Sequence, residues 1–189
     1  EKLTETNLAG RLNISRGPLR EAILQLTEEG LLIKEAYRGL RVRSVSRREL
    51  SELYSMRTTL ERFAIEESWE KRTDAALDVL KRRLIRLEQA RTAKDVSAAV
   101  DGEIALHSWI YELSGHSLLK SHWQKLVPLV QIYMSIHNRQ HGVTGVFMVA
   151  NQKYVDLMQG DDRSAILNHI GEHMQKGLDS VYASVEEDR

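Results

Sequence analysis

Ser15-Arg16-Gly17-Pro18-Leu19-Arg20-Glu21-Ala22, closed by Glu29-Gly30-Leu31, decides how the first part of this 189-residue chain folds. Ser15 caps a helix, and Pro18 sits in its first turn, where a missing N–H removes no intrahelical bond. Leu19, Ile23, Leu24 and Leu26 keep a helical rhythm up to Gly30, a residue suited to a helix C-terminus. Upstream, Thr4 caps a shorter helix that presents Leu8 and Leu12 and ends near Asn13, so a tight turn separates the pair. Downstream, Leu31-Leu32-Ile33-Lys34 and Leu40-Arg41-Val42-Arg43-Ser44-Val45 flank a Tyr37-Arg38-Gly39 turn, which predicts two short strands. Helix, turn, helix and basic hairpin is the order of a winged helix-turn-helix, here over residues 1–45.

From Ser46 onward the apolar spacing becomes helical throughout. Ser46 and Glu49 have capping-box spacing, and the helix they open runs to about Lys71. Further helices are predicted from Thr73 or Asp74 to near Arg91, from Asp95 to Leu113, and from Ser117 to near Gln140. After a Gly142-Val143-Thr144-Gly145 loop, a fifth helix ends around Gln159-Gly160, and Asp161 or Asp162 caps a sixth that continues almost to the C-terminus. The fold class is therefore mostly α: a winged helix-turn-helix followed by an antiparallel bundle of about six helices over residues 46–189, able to enclose an interior site.

Composition narrows the function classes. With 42% apolar and 29% charged residues the chain is globular rather than disordered. It has no cysteine, so disulfides, thiolate metal sites and a cysteine nucleophile are excluded. No apolar run approaches the roughly 20 residues of a membrane span, and nothing at the start reads as a signal peptide, so no membrane partner and a cytoplasmic location are expected. Net charge is zero, yet residues 1–50 hold ten Lys and Arg against seven Asp and Glu. Six of those bases fall between Lys34 and Arg48, with Glu35 the single acid before Glu49. A basic end on a neutral body points to a polyanionic partner at that end.

The chemistry of the first segment suits duplex DNA. A recognition helix enters the major groove N-terminus first, and Ser15, Arg16, Gly17 and Arg20 occupy that first turn and a half. Arginine matches the O6/N7 edge of guanine or a phosphate, and glycine permits close backbone approach. At the wing, Arg38, Gly39 and Arg41 are placed to meet the minor groove. The run from Ser15 to Ala22, with Leu8-Ala9 before it and Glu29-Gly30-Leu31 after, resembles the signature of the GntR family of transcriptional regulators. The resemblance implies a homodimer on an inverted-repeat operator, with base and phosphate contacts from Ser15, Arg16, Gly17 and Arg20 and wing contacts from Arg38 and Gly39. Thr6 stands where some members place an arginine. The family also has a helix ahead of Thr4, which implies that this chain begins inside the domain.

Residues 46 to 187 resemble the FCD effector domain of the FadR branch of that family, through Leu50, Leu53-Tyr54, Arg57 and Leu60-Glu61. Arg57 and Glu61, four apart on the apolar stripe, read either as a structural salt bridge or as an arginine holding a carboxylate effector. Glu103 and His107 share one helical face, as do His169 and His173, so each pair has chelating spacing. By resemblance to FCD domains that hold a divalent metal, Glu103 takes the place of an aspartate ligand, while His107 and His173 match two histidine ligands. Asn151 falls where the remaining histidine would stand, and amide oxygen suits Zn²⁺ or Ni²⁺ poorly. Three outcomes stay open: a Zn, Ni or Mn ion on Glu103, His107 and His173, completed by Asn151, water or effector; His169 as replacement ligand; or a metal-free polar cluster that hydrogen-bonds an effector or itself. His116, His122, His137 and His141 carry no ligand spacing, and Trp109, Trp123 and Tyr133 read as core.

The expected function is a DNA-binding regulator, in the family's commoner habit a repressor, controlled by a small organic acid near Arg57, Glu103, His107, Asn151 and His173. A metal-responsive regulator is the alternative. A metal-dependent enzyme is disfavoured because no nucleophile has an adjacent base, and a helical scaffold because inward polar groups without purpose are costly.

Overall fold

The computed structural model describes residues 4–28, 30–35, 39–43, 46–142, 146–182 and 185, and the chain divides into two compact units, Glu1–Val45 and Ser46–Arg189. Arg38 and residues 143–145 of the expected loop lie outside the described residues.

In the first unit, α1 spans Glu5–Leu12 and α2 spans Arg16–Glu28. Thr4 caps α1 by accepting from Asn7 N, and Asn13 ends it in the left-handed region at φ 52°. Two strands follow, β1 at Leu32–Glu35 and β2 at Gly39–Val42, antiparallel with Leu32 opposite Val42 and Glu35 opposite Gly39. Gly39 sits at φ 87°, where a side chain would be strained, which fixes the turn position. Leu19 and Ile23 of α2 pack with Leu32 and Leu40 of the hairpin, and Leu8 and Ala9 of α1 close over them. That small core leaves Ser15, Arg16, Gly17 and Arg20 exposed together at the start of α2.

The second unit contains six helices among the described residues: α3 Arg47–Ser68, α4 Asp74–Thr92, α5 Val96–Ser114, α6 Ser117–His141, α7 Val146–Gln159 and α8 Arg163–Tyr182. The Ser46/Glu49 capping box forms in both directions, and Thr73 and Asp95 cap α4 and α5 through their side chains. The expected boundaries hold to within a few residues, with a short 3₁₀ turn at Trp69–Lys71 prolonging α3. α5 is central, packing on α3, α4 and α6. Its apolar face buries Leu106, Trp109, Ile110 and Tyr111, while Trp123 of α6 stacks on Tyr111 at 4.8 Å. A Cβ on Gly102 would lie 3.1 Å from Leu87 Cα, so glycine here lets α5 approach α4 closely. That approach brings Arg91, at the end of α4, within reach of Glu103. No helix among the described residues is long and apolar enough to cross a membrane.

Candidate functional site

Five helices of the second unit converge on a polar cluster inside the apolar core. One turn of α5 projects Glu103 and His107 inward, and α8 brings His173 to meet them. His107 Nε2 and His173 Nε2 face each other at 3.3 Å, and Glu103 Oε1 lies 3.6 Å from His107 Nε2. All three residues are buried, and one ligand atom from each falls within 4.8 Å of the others. A tetrahedral ion with bonds of ~2.0–2.1 Å separates its ligand atoms by ~3.3–3.4 Å, close to the His107–His173 and Glu103–His107 separations of 3.3 and 3.6 Å.

The groups behind the three donors strengthen that fit. His107 donates from Nδ1 to Glu61 Oε1 at 2.6 Å, an arrangement that orients the ring and leaves Nε2 for a metal. Arg91 and Asn151 both donate to Glu103 Oε2, at 2.6 and 2.7 Å, which leaves Oε1 turned to the histidines. Asn151 Oδ1 and His173 Nδ1 are buried without a hydrogen-bond partner. An unsatisfied acceptor beside an open donor set is what a site completed by a cation or water exposes.

The sequence expectations fare unevenly against this geometry. Glu103, His107, Asn151 and His173 come together. The Arg57–Glu61 salt bridge does not form: Glu61 Oε1 pairs with His107, and its Oε2 is buried without a partner. Arg57 instead lies over the rings of Tyr54 and Trp123, 5.3 and 5.6 Å from their centroids, with its Nε unpartnered. His169 stays out of the cluster, since its Nε2 donates to Ala150 O at 2.9 Å. Asn151 donates from its amide nitrogen to Glu103 Oε2, and its Oδ1 is left buried without a partner. Arg91 was not anticipated, because nothing in its local spacing marks a surface-like arginine at a helix end as a buried partner of α5. His137, which carries no ligand spacing, is buried and lines a small cavity with Arg57, Glu103, Met134, His173 and Met174. At about 20 Å³ the cavity has room for one water.

The electrostatics follow from the burial and from who faces whom. Burial opposes charge on His107, but Glu61 and Glu103 overcome it and raise its pKa to about 9. For Glu103, burial pushes upward and is outweighed by His107 and Arg91, which bring it down to about 2. Burial and the neighbouring His107 depress His173 to about 3, and burial also lowers His169. In the metal-free protein these shifts set a pH dependence of stability. The folded state holds the His107 proton more tightly than the unfolded chain does, so that contribution is present below 6.5 and fades as pH rises through about 9. His173 acts oppositely, losing stability as pH falls from 6.5 toward about 3, and Glu103 adds a loss below 4.5. Denaturant unfolding with chelator present is therefore expected to peak near pH 6.5 and decline on the alkaline side. A rise from about pH 7 to 9 would contradict this proton placement.

In the first unit, Ser15, Arg16 and Gly17 are exposed, Gly39 is half-buried, and Arg20 pairs with Glu5 through Nε at 2.8 Å. A Cβ on Gly17 would meet nothing within 4 Å, so no packing inside the chain requires a glycine there.

Comparison with known proteins places both units. Residues 1–42 match the family described as bacterial regulatory proteins, gntR family, and residues 52–176 match the FCD domain. The Nta operon transcriptional regulator of Aminobacter aminovorans is 36% identical over 90 residues, which span 48% of this chain and 43% of that protein. The gluconate operon transcriptional repressor of Bacillus licheniformis is 23% identical over 190 residues, 98% of this chain and 76% of the repressor. Among solved structures, Escherichia coli McbR/YncC superposes with a TM-score of 0.81 at 22% identity, covering 96% of this chain and 86% of that one.

Proposed function

The chain belongs to the GntR family of bacterial transcriptional regulators and carries an FCD domain, so it is a regulator and not an enzyme, and from that premise we propose that it is a cytoplasmic homodimeric repressor. Its operator affinity is set by a small carboxylate bound beside a divalent metal. Residues 1–45 form the DNA-binding domain and residues 46–189 the sensing and dimerising domain. Ser15, Arg16, Gly17 and Arg20 meet the major groove, with Gly39 and Arg38 at the wing. One recognition helix reads few base pairs, so an inverted repeat and two copies are needed for specificity.

The observation that carries the sensing part is the buried convergence of Glu103, His107 and His173, with Glu61 and Arg91 holding two of them from behind. Glu103, His107 and His173 would hold the ion, which when bound would supply a Lewis-acidic contact for a carboxylate oxygen. Arg57 offers the second contact, since its unpartnered Nε belongs to a residue lining the same cavity as Glu103 and His173. The cavity now admits only one water, so a carboxylate enters by displacing Met134 and Met174, whose unbranched side chains repack readily. Such a ligand controls DNA binding to the extent that it prefers the widened arrangement.

Elemental analysis of the purified chain, joined to thermal shifts against small hydroxy and sugar acids with and without chelator, tests this reading. The expected result is about one divalent ion per chain and a stabilising acid whose effect needs that ion. Shifts that are the same with chelator would leave a metal-free effector site on Arg57 and Asn151 and overturn the metal.

A further inference from the structure

Of the side chains that α4 buries, Leu80, Leu84 and Leu87 are apolar and Arg91 alone is charged. A buried guanidinium is destabilising unless paired, and an apolar side chain at such a position is often as stable or more so. The ionic partner of Arg91 is Glu103, whose Oε2 it contacts through Nη2 at 2.6 Å, with side-chain exposures of 7% and 4%. Its Nη1 is buried without a hydrogen-bond partner. The same carboxylate is the anionic donor of the cluster with His107 and His173. Its other oxygen, Oε1, is the one turned to the histidines, 3.6 Å from His107 Nε2. A guanidinium on one oxygen and a divalent ion on the other would put like charges on both sides of one carboxylate. Salt screens such a buried repulsion little, and at an effective dielectric of ~20 it is worth well over a tenfold change in affinity.

We infer that Arg91 is a built-in counter-cation for Glu103 that weakens the hold of the cluster on a divalent ion and so keeps that ion exchangeable, a step that rests on the metal reading above. Asn151 separates orientation from charge. Its Nδ2 donates to the same Oε2 at 2.7 Å, so a neutral group still orients the carboxylate when the guanidinium is removed. Arg91 and Glu61 then act with opposite signs from behind the donors. Glu61 sets a carboxylate behind His107 and strengthens that ligand, while Arg91 sets a cation behind Glu103 and weakens it. Loss of a residue that only orients a ligand lowers metal affinity by about 10–100-fold, so removing Arg91 has opposite outcomes under the two roles.

Competition titration of Zn²⁺ and of Mn²⁺ against a chelating dye, on the full chain and its variants, decides the matter. Arg91→Met removes the charge and is expected to bind at least about tenfold tighter than the unaltered chain, releasing the ion to excess chelator correspondingly more slowly. Arg91→Lys keeps the charge and is expected to bind no tighter than the unaltered chain. With chelator present, Arg91→Met is expected to unfold at lower denaturant, since Glu103 then lacks its partner, and Zn²⁺ to raise its midpoint by more than that of the unaltered chain. If Arg91→Met does not fold in chelator, Zn²⁺ is expected to fold it, and failure to do so overturns the inference. Where the unaltered chain binds, equal or weaker binding by Arg91→Met, or tighter binding by Arg91→Lys, overturns the role of Arg91 and leaves the metal reading standing. No binding of either ion by the unaltered chain or by Arg91→Met overturns both. Binding by Arg91→Met alone upholds the role of Arg91 and overturns the metal in the unaltered chain.

Discussion

His173→Ala is expected to weaken divalent-metal binding by at least about a hundredfold while the metal-free protein stays folded, because loss of a ligand exceeds the 10–100-fold typical of losing a residue that only orients one. The argument rests on what His173 does without metal. It is buried with Nδ1 unpartnered, and burial together with His107 holds it neutral. Its removal therefore leaves no charge stranded. His107→Ala removes a ligand too, but it also strands the buried carboxylate of Glu61 and confounds binding with stability. Glu61→Gln isolates the orienting role, with an expected loss of about 10–100-fold in metal affinity and no change in ligand count. Competition titration against a chelating dye, with denaturant unfolding of each metal-free variant alongside, separates the effects. Unchanged affinity in His173→Ala would show that Glu103 and His107 do not share an ion with α8.

How far this site was legible in the sequence depends on whether its parts lie on one helix. Glu103 and His107 are four residues apart, and the helical repeat alone places them on one face. The same repeat suggested that Arg57 would pair with Glu61, and there it misled. Both side chains point inward, but the nearer partner for Glu61 comes from α5, 46 positions along the chain. Arg91 was invisible for the same reason, since only the close packing of α4 on α5 at Gly102 delivers it to Glu103. Asn151 stands where the resemblance places a histidine; its amide nitrogen donates to Glu103 Oε2, a contact no spacing in the sequence shows, while its Oδ1 stays unpartnered. Helix boundaries were readable because caps are local. Thr4, Ser46, Thr73 and Asp95 each accept from a backbone N–H three residues on, a bond the sequence nearly spells out.

Arg16→Ala is expected to lower operator affinity by about five- to a hundredfold, the range for losing one bidentate base contact. It should also relax preference at one position of each half-site. Arg16 is exposed at the first position of α2. Arg20 differs, because its Nε is bound to Glu5 Oε2 at 2.8 Å and must leave that carboxylate, or share it, to reach DNA. Arg20→Ala is accordingly expected to cost less, and Glu5→Gln to strengthen binding modestly by freeing the guanidinium. If Arg20 serves a phosphate, its loss weakens all sequences alike and reduces the salt dependence of binding by about one unit of slope. Gly17→Ala completes the set. Nothing inside the chain crowds that position, and alanine favours a helix by about 1 kcal/mol, so the protein should be as stable or more so. Weaker operator binding by that variant would then come from DNA approaching the backbone at Gly17. Fluorescence anisotropy on an operator selected from random duplexes, read across salt concentrations, distinguishes these roles. Equal losses on every sequence for both arginines would remove base reading from α2 and leave it a phosphate clamp.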